Sequence, residues 1–158
     1  MPFFKWLGAV AIFACGIFVG GCLSAFHRRR LAQAEGFLAL LRLIRLQIDC
    51  FSMPVSRILA ECDREILAAC GTEAVPGDFK ALLQSVHLYL PEEMCRLLED
   101  FSARLGGSYR EEELRCCDYY LARLTPSCDA LRTELGSRER VALFLPPALS
   151  VALILLLI

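Results

Sequence analysis

The chain has 158 residues, of which 56% are hydrophobic and 22% charged, and its formal net charge is −1. The length favours a single domain, but the hydrophobic fraction is too high for an ordinary soluble one, so we expect part of the surface to face lipid. Charge is unevenly placed: every Asp and Glu lies between Glu35 and Glu139, Lys5 is the only charged residue before Arg28, and none follows Arg140.

The first predicted element is a transmembrane helix over residues 1–27. Residues 6–26 carry no charge, and at about 1.5 Å per residue they would form a helix of roughly 30 Å, the thickness of a bilayer core. The membrane-flanking basic residues Arg28, Arg29 and Arg30 follow directly. Basic residues beside a span favour its cytoplasmic side, so the middle domain, residues 28–140, is predicted to be cytoplasmic.

A lipoprotein is the alternative for this end of the chain. Val19, Gly20, Gly21 and Cys22 form a degenerate lipobox, which would make Cys22 a lipidated N-terminus. The apolar run is longer than a usual signal core, and the arginines that follow would resist translocation. The nine cysteines are odd in number and without a repeated framework, which favours reduced cytosolic thiols.

The middle domain begins with a long helix that has an apolar seam. The seam residues are spaced by three and four positions, as expected for one face of a helix; they are Phe37, Leu41, Ile44, Ile48 and Phe51, preceded by Ala34. A proline turn at residues 52–54 ends this helix, and a second helix is predicted from Pro54 to about Cys70.

Three further helices are predicted, and no stretch shows the period-two alternation of a strand. Asp78 is expected to cap a helix from Phe79 to about Leu88, and Pro91 to open one that continues to Leu105. A last helix begins near Ser108. The fold class is therefore predicted as all-α, a membrane-anchored helical bundle.

The final predicted element is a C-terminal hydrophobic helix over residues 141–158, which is expected to cross the membrane. Arg138 and Arg140 precede it as a second basic flank. Pro146 and Pro147 remove two amide donors and would kink the helix near its entry, which leaves a re-entrant or interfacial tail as the alternative.

No residue pattern in the chain predicts an active site. A nucleotide-binding loop, a metal-ligand spacing and a nucleophile elbow are all missing from the sequence, so we predict a protein that is not an enzyme and has no catalytic, cofactor or metal site. His87 and the vicinal Cys116 and Cys117 are interpreted as structural. The acidic run Glu111, Glu112 and Glu113 is either a favourable first-turn charge or a docking patch for a basic partner.

Two stretches resemble a known family. Residues 35–62 read EGFLALLRLIRLQIDCFSMPVSRILAEC, and residues 105–124 read LGGSYREEELRCCDYYLARL. Together with the hydrophobic ends, in this order, they resemble the stage III sporulation protein AB family of spore-forming Firmicutes over essentially the whole chain.

The resemblance implies a helical cytoplasmic domain similar to that of the type II secretion platform protein. It implies a location in the mother-cell membrane that surrounds the forespore, in the secretion-like channel complex that connects the two compartments. The implied partners are the membrane and other subunits of that complex, including its AA-type secretion ATPase. Neither a nucleic acid nor a small-molecule substrate is expected, and the protein would be a structural subunit.

Two other classes of function stay open. A membrane-tethered helical adaptor or regulator unrelated to sporulation would share the same anchors, and the position of the coding region among channel-complex genes would separate it from a platform subunit. An enzyme would need a pocket that gathers His87, a cysteine and an acid.

Overall fold

The computed structural model describes the backbone of residues 2–107 and 109–157, and the side-chain surroundings of residues 8, 14, 15, 18, 20–107 and 109–136. Every regular element among them is a helix, which confirms the all-α part of the prediction for this part of the chain. The helices are α1 Pro2–Phe51, α2 Val55–Ala60, α3 Arg64–Cys70, α4 Phe79–Ser85, α5 Glu92–Arg104 and α6 Arg110–Leu157.

The predicted pair of transmembrane helices is corrected by the structure. Within the described residues, no helix has an 18-residue stretch apolar enough to cross a membrane. A helix that crosses a bilayer needs about 20 consecutive, predominantly apolar residues. The side chains of the second predicted span, residues 141–158, lie outside the described residues, as do those of Arg138 and Arg140.

The chain divides into two compact units. One consists of Arg29–Leu131, and the other combines Met1–Arg28 with Arg132–Ile158. The buried hydrophobic residues that the structure describes all lie between Ala34 and Leu131, so the first unit contains this core.

The predicted seam on α1 is buried along most of its length. Phe37, Leu41, Ile44 and Ile48 are at most 2% exposed. Phe51, predicted to continue the seam, is 69% exposed, so that assignment is wrong.

The exposure of Phe51 follows from where its packing partner begins. It is the last residue of α1, and Ser52 leaves the helix with a positive φ of 51°. On the facing helix, Arg110 is the first residue of α6 and donates from Nε to the carbonyl of Ile48 at 3.2 Å. Within the described residues, α6 thus begins with the residue that bonds to Ile48 and Asp49, and Phe51 lies beyond those contacts at the end of α1.

The single helix predicted from Pro54 to Cys70 is two helices in the structure. The Asp63 carboxylate accepts a hydrogen bond from the amide of Glu65 at 3.1 Å and so forms an N-cap for α3. An aspartate at this position competes with helix continuation because its side chain replaces a backbone partner. Gly71, with φ of 104°, ends α3 in the left-handed conformation that favours glycine.

Helix α3 packs closely against α1 at Gly36. A Cβ atom placed on Gly36 would lie 2.8 Å from the carbonyl carbon of Ala69 and 2.8 Å from its Cβ. Real side chains do not tolerate that distance, so the two helices approach this closely only because residue 36 is a glycine.

A row of aromatic rings crosses the Arg29–Leu131 unit from α1 to α6. Phe37 contacts Phe79 of α4 at a ring-centroid distance of 6.5 Å, and Phe79 contacts Phe101 of α5 at 5.0 Å. Phe101 contacts Tyr120 of α6 at 5.3 Å. Each pair has the edge-to-face arrangement that adds stabilisation beyond the buried area, so the row joins four helices into one core.

Candidate functional site

The acidic run Glu111, Glu112 and Glu113 forms the first turn of α6. The helix begins here because the carbonyl of Tyr109 accepts hydrogen bonds from the amides of Glu112 and Glu113, at 2.9 and 3.0 Å. Carboxylates in a first turn also interact favourably with the positive end of the helix dipole. Glu111 and Glu112 are exposed and Glu113 is half-buried.

This end of α6 is held to α1 by Arg110. Its guanidinium donates to the backbone carbonyl of Asp49 and, at 2.9 Å, to the Asp49 carboxylate. Farther along the same pair of helices, the guanidinium of Arg45 pairs with the carboxylate of Asp118. The start of α6 is therefore fixed in position by charged contacts at two levels.

Two of the three glutamates, Glu112 and Glu113, line a cleft between the end of α5 and the start of α6, here called the α5–α6 cleft. Its volume is about 560 Å³. Residues from both helices and from the turn between them line it: Ala103, Arg104, Gly107, Glu112, Glu113, Arg115, Cys116, Tyr119 and Tyr120. Arginines and glutamates thus share one surface, which is mixed in charge rather than acidic.

The four charged side chains of the cleft have no partner within the described part of the chain. Arg104, Arg115, Glu112 and Glu113 form neither a side-chain hydrogen bond nor an ion pair with any residue that the structure describes. Their hydrogen-bonding groups are available to a ligand or a partner protein.

Burial and the two signs of charge act together on the cysteine of the cleft. Burial raises the pKa of the Cys116 thiol; Glu113 raises the pKa further and Arg104 lowers it. The balance keeps the thiol protonated, so Cys116 is a poor nucleophile and a poor metal ligand at neutral pH.

Tyrosines form the floor and the rim of the cleft. Tyr120 is buried against Phe101, whereas Tyr119 is 52% exposed. The guanidinium carbon of Arg123 lies 5.2 Å from the centre of the Tyr119 ring, a cation–π contact. Arg123 also lines a neighbouring depression of about 330 Å³. That depression is formed with Glu92, Glu93, Arg96, Leu97 and Asp100 of α5.

His87 does not lie in a buried pocket. This histidine is exposed and its ring packs on Tyr89 at 4.8 Å. Among the described residues there is no group of three or more His, Cys, Asp or Glu side chains that could hold a metal ion.

The vicinal cysteines point to different surroundings. Cys116 lines the cleft, while Cys117 is fully buried in the core and burial raises its pKa to about 12. Burial likewise raises the pKa of Cys70 to about 12. Thiols held protonated in this way react slowly with oxidants and alkylating agents.

The basic flank of α1 is accessible to solvent in part. Arg28 and Arg29 are exposed and Arg30 is half-buried. Large apolar side chains at Phe18, Leu23 and Phe26 on the same helix are also exposed.

No protein-family model matches the chain, and comparisons with curated proteins and with solved structures give no match either. The resemblance to the stage III sporulation protein AB family therefore rests on the two quoted stretches and their order.

Sequence reasoning missed Arg104, Arg115 and Tyr119 as members of the site. The α6 side of the cleft could have been predicted from the sequence. Its residues follow the three- and four-residue spacing of one helix face: Glu112, Arg115, Cys116 and Tyr119. The contribution of Arg104 comes from another helix and has no such signal.

Proposed function

We propose that the protein is a non-catalytic platform subunit of the mother-cell-to-forespore channel. It acts beside a secretion-type ATPase, at the mother-cell membrane around the forespore, and is required for spore formation. It carries out no turnover and uses no cofactor. Its contribution is a rigid helical surface on which other subunits assemble.

The observation that carries this proposal is that the two family-like stretches form one packed unit. Residues 35–62 supply the end of α1 together with α2, and residues 105–124 supply the beginning of α6. The pairs Arg45–Asp118 and Arg110–Asp49 both join one stretch to the other. Stretches that resemble one family in sequence are therefore also partners in space, as expected if they were retained together.

The proposed location draws support from the exposed part of α1. Phe18, Leu23 and Phe26 present apolar surface, and Arg28 and Arg29 follow them on the same helix. Apolar side chains next to arginines favour contact with the anionic surface of a membrane.

Deletion of the coding region in its spore-forming host tests the function. We expect development to stall after engulfment, because a channel subunit is needed only once the two compartments are separate. Restoring the wild-type gene should restore spores. Sporulation at the normal level in the deletion strain would contradict the proposal, and so would measurable nucleotide hydrolysis by the purified chain.

A further inference from the structure

We propose that the α5–α6 cleft is a self-association surface through which two copies of this chain dock about a two-fold axis. The inference is independent of the proposed function, since it concerns only which partner fits the cleft. It rests on the charges, the exposed aromatic rings and the rigid floor of that surface.

The arrangement of charge selects the partner. Arg104 and Arg115 face the same cleft as Glu112 and Glu113, and within the described residues none of the four has an ion-pair partner. A purely basic or purely acidic partner would satisfy one pair and be repelled by the other. A second copy carries both arginines and glutamates in the same cleft. About a two-fold axis, each arginine of one copy that contacts a glutamate of the other is matched by the same contact in reverse.

Two charged pairs on other exposed surfaces are already formed within the chain. On α2, the guanidinium of Arg57 already pairs with Glu61 at 2.8 Å. On α5, Arg96 pairs with Glu92, one turn away on the same helix. The cleft instead gathers two arginines and two glutamates in one lining, and none of these four forms an ion pair within the described part of the chain.

Exposed aromatic rings give the surface the composition of an interface. Tyr119 is 52% exposed inside the cleft, and Tyr109, which directly precedes the first turn of α6, is 88% exposed. Tyrosine and arginine are enriched among the residues that dominate binding energy, because they combine a large contact area with hydrogen-bonding groups.

The floor of the cleft is rigid before any partner arrives. Tyr120 contacts Phe101, which belongs to the row of rings that runs through Phe79 to Phe37 in the core. A surface that is already ordered loses little conformational entropy on docking, which favours association.

Charge-swapped variants of the full-length chain test the inference. The first variant carries Arg104→Glu with Arg115→Glu, and the second carries Glu112→Arg with Glu113→Arg. Sedimentation velocity over a range of concentrations, under reducing conditions and in one mild detergent throughout, measures the monomer–dimer equilibrium. We expect the wild type to dimerise and each variant alone to do so at least about tenfold more weakly, because like charges meet across the axis.

A mixture of the two variants provides the decisive measurement. An all-acidic cleft then meets an all-basic one, so an equimolar mixture should recover a dimer that contains one copy of each. Recovery also shows that both variants are folded, since a misfolded chain has no cleft to offer.

Matched controls place the same charge changes on α2, its C-cap residue and the start of α3. Arg57→Glu with Arg64→Glu matches the first variant in net charge, and Glu61→Arg with Glu65→Arg matches the second. Both control pairs should dimerise like the wild type.

Three results would overturn the inference. If the wild-type chain stays monomeric at about 100 μM, its self-association is too weak to support the proposed dimer. A dimer that both cleft variants leave unchanged uses another surface. Loss of the dimer in both variants with no recovery in the mixture would show that reciprocal arginine–glutamate contacts do not hold the dimer together.

Discussion

At the scale of single residues, Gln33 shows how one buried polar side chain holds three segments together. It is 3% exposed, and its Nε2 donates to the carbonyls of Cys70 and His87, each at 3.0 Å. Its Oε1 accepts from the amide of Tyr89 at 2.8 Å. The amide therefore joins α1 to the end of α3 and to the segment after α4, and the bond to Cys70 satisfies a buried backbone carbonyl.

Gln33→Glu should lower the free energy of unfolding by about 3 kcal/mol, because a carboxylate would face two carbonyl oxygens and offer them no donor. Burial favours the neutral acid, so the folded pKa of the introduced group lies above its unfolded value. The loss of unfolding free energy in Gln33→Glu should therefore grow as pH rises from the unfolded pKa of the introduced carboxyl group through its folded pKa.

Chemical denaturation at acidic and neutral pH measures the effect of Gln33→Glu. The control is Gln84→Glu, which makes the same change at an exposed position on α4. Equal stability of the two variants would show that the hydrogen bonds of Gln33 make no net contribution to the free energy of unfolding.

At the scale of elements, the buried face of α1 depends on the helix that packs against it. Ile48 and Phe51 occupy the same seam by spacing, yet Ile48 is 2% exposed and Phe51 is 69% exposed. The difference arises because α6 begins at Arg110, whose side chain bonds to the backbone of Ile48 and Asp49. A seam is buried only where a second element lies opposite it.

Ile48→Asp should therefore cost about 4 kcal/mol of unfolding free energy, since it places an unpaired carboxylate in the core. Phe51→Asp, one helical turn later, should cost about 1 kcal/mol or less, as expected at an exposed position. Thermal or denaturant unfolding of the two variants measures the contrast. Comparable losses would mean that Phe51 is packed after all and that the core extends beyond Ile48.

At the scale of the whole molecule, the buried core lies within one of the two compact units. The described core residues run from Ala34 to Leu131, and the unit that contains them is Arg29–Leu131. A segment of this size with its own core meets the usual requirements of an independent domain.

The isolated fragment of residues 29–131 should thus fold on its own. We expect a helical circular dichroism spectrum and one cooperative thermal transition, because the fragment keeps every described core residue and the hydrogen bonds of Gln33. The same fragment with Ile48→Asp serves as the destabilised comparison. A broad, non-cooperative melt of the unsubstituted fragment would show that the terminal segments are needed for the core to pack.

The amino-acid sequence by itself determined the helical class and several helix ends. Asp78 caps α4 through the amide of Ala81 at 2.6 Å, and Gly71 ends α3. Such features are predictable because capping and turn formation depend on neighbours within a few residues. The periodicity of α1 likewise indicated which face is buried between Phe37 and Ile48.

Tertiary structure decided how far that burial extends, and it assembled the cleft. The position of α6 left Phe51 in solvent, and the meeting of α5 with α6 brought Arg104 beside Arg115 and Glu112. Two uncharged runs in the sequence also predicted two spans, which the described helices do not provide. Spacing along one chain defines the face of a helix, but what that face meets depends on residues distant in sequence, and only packing brings them together.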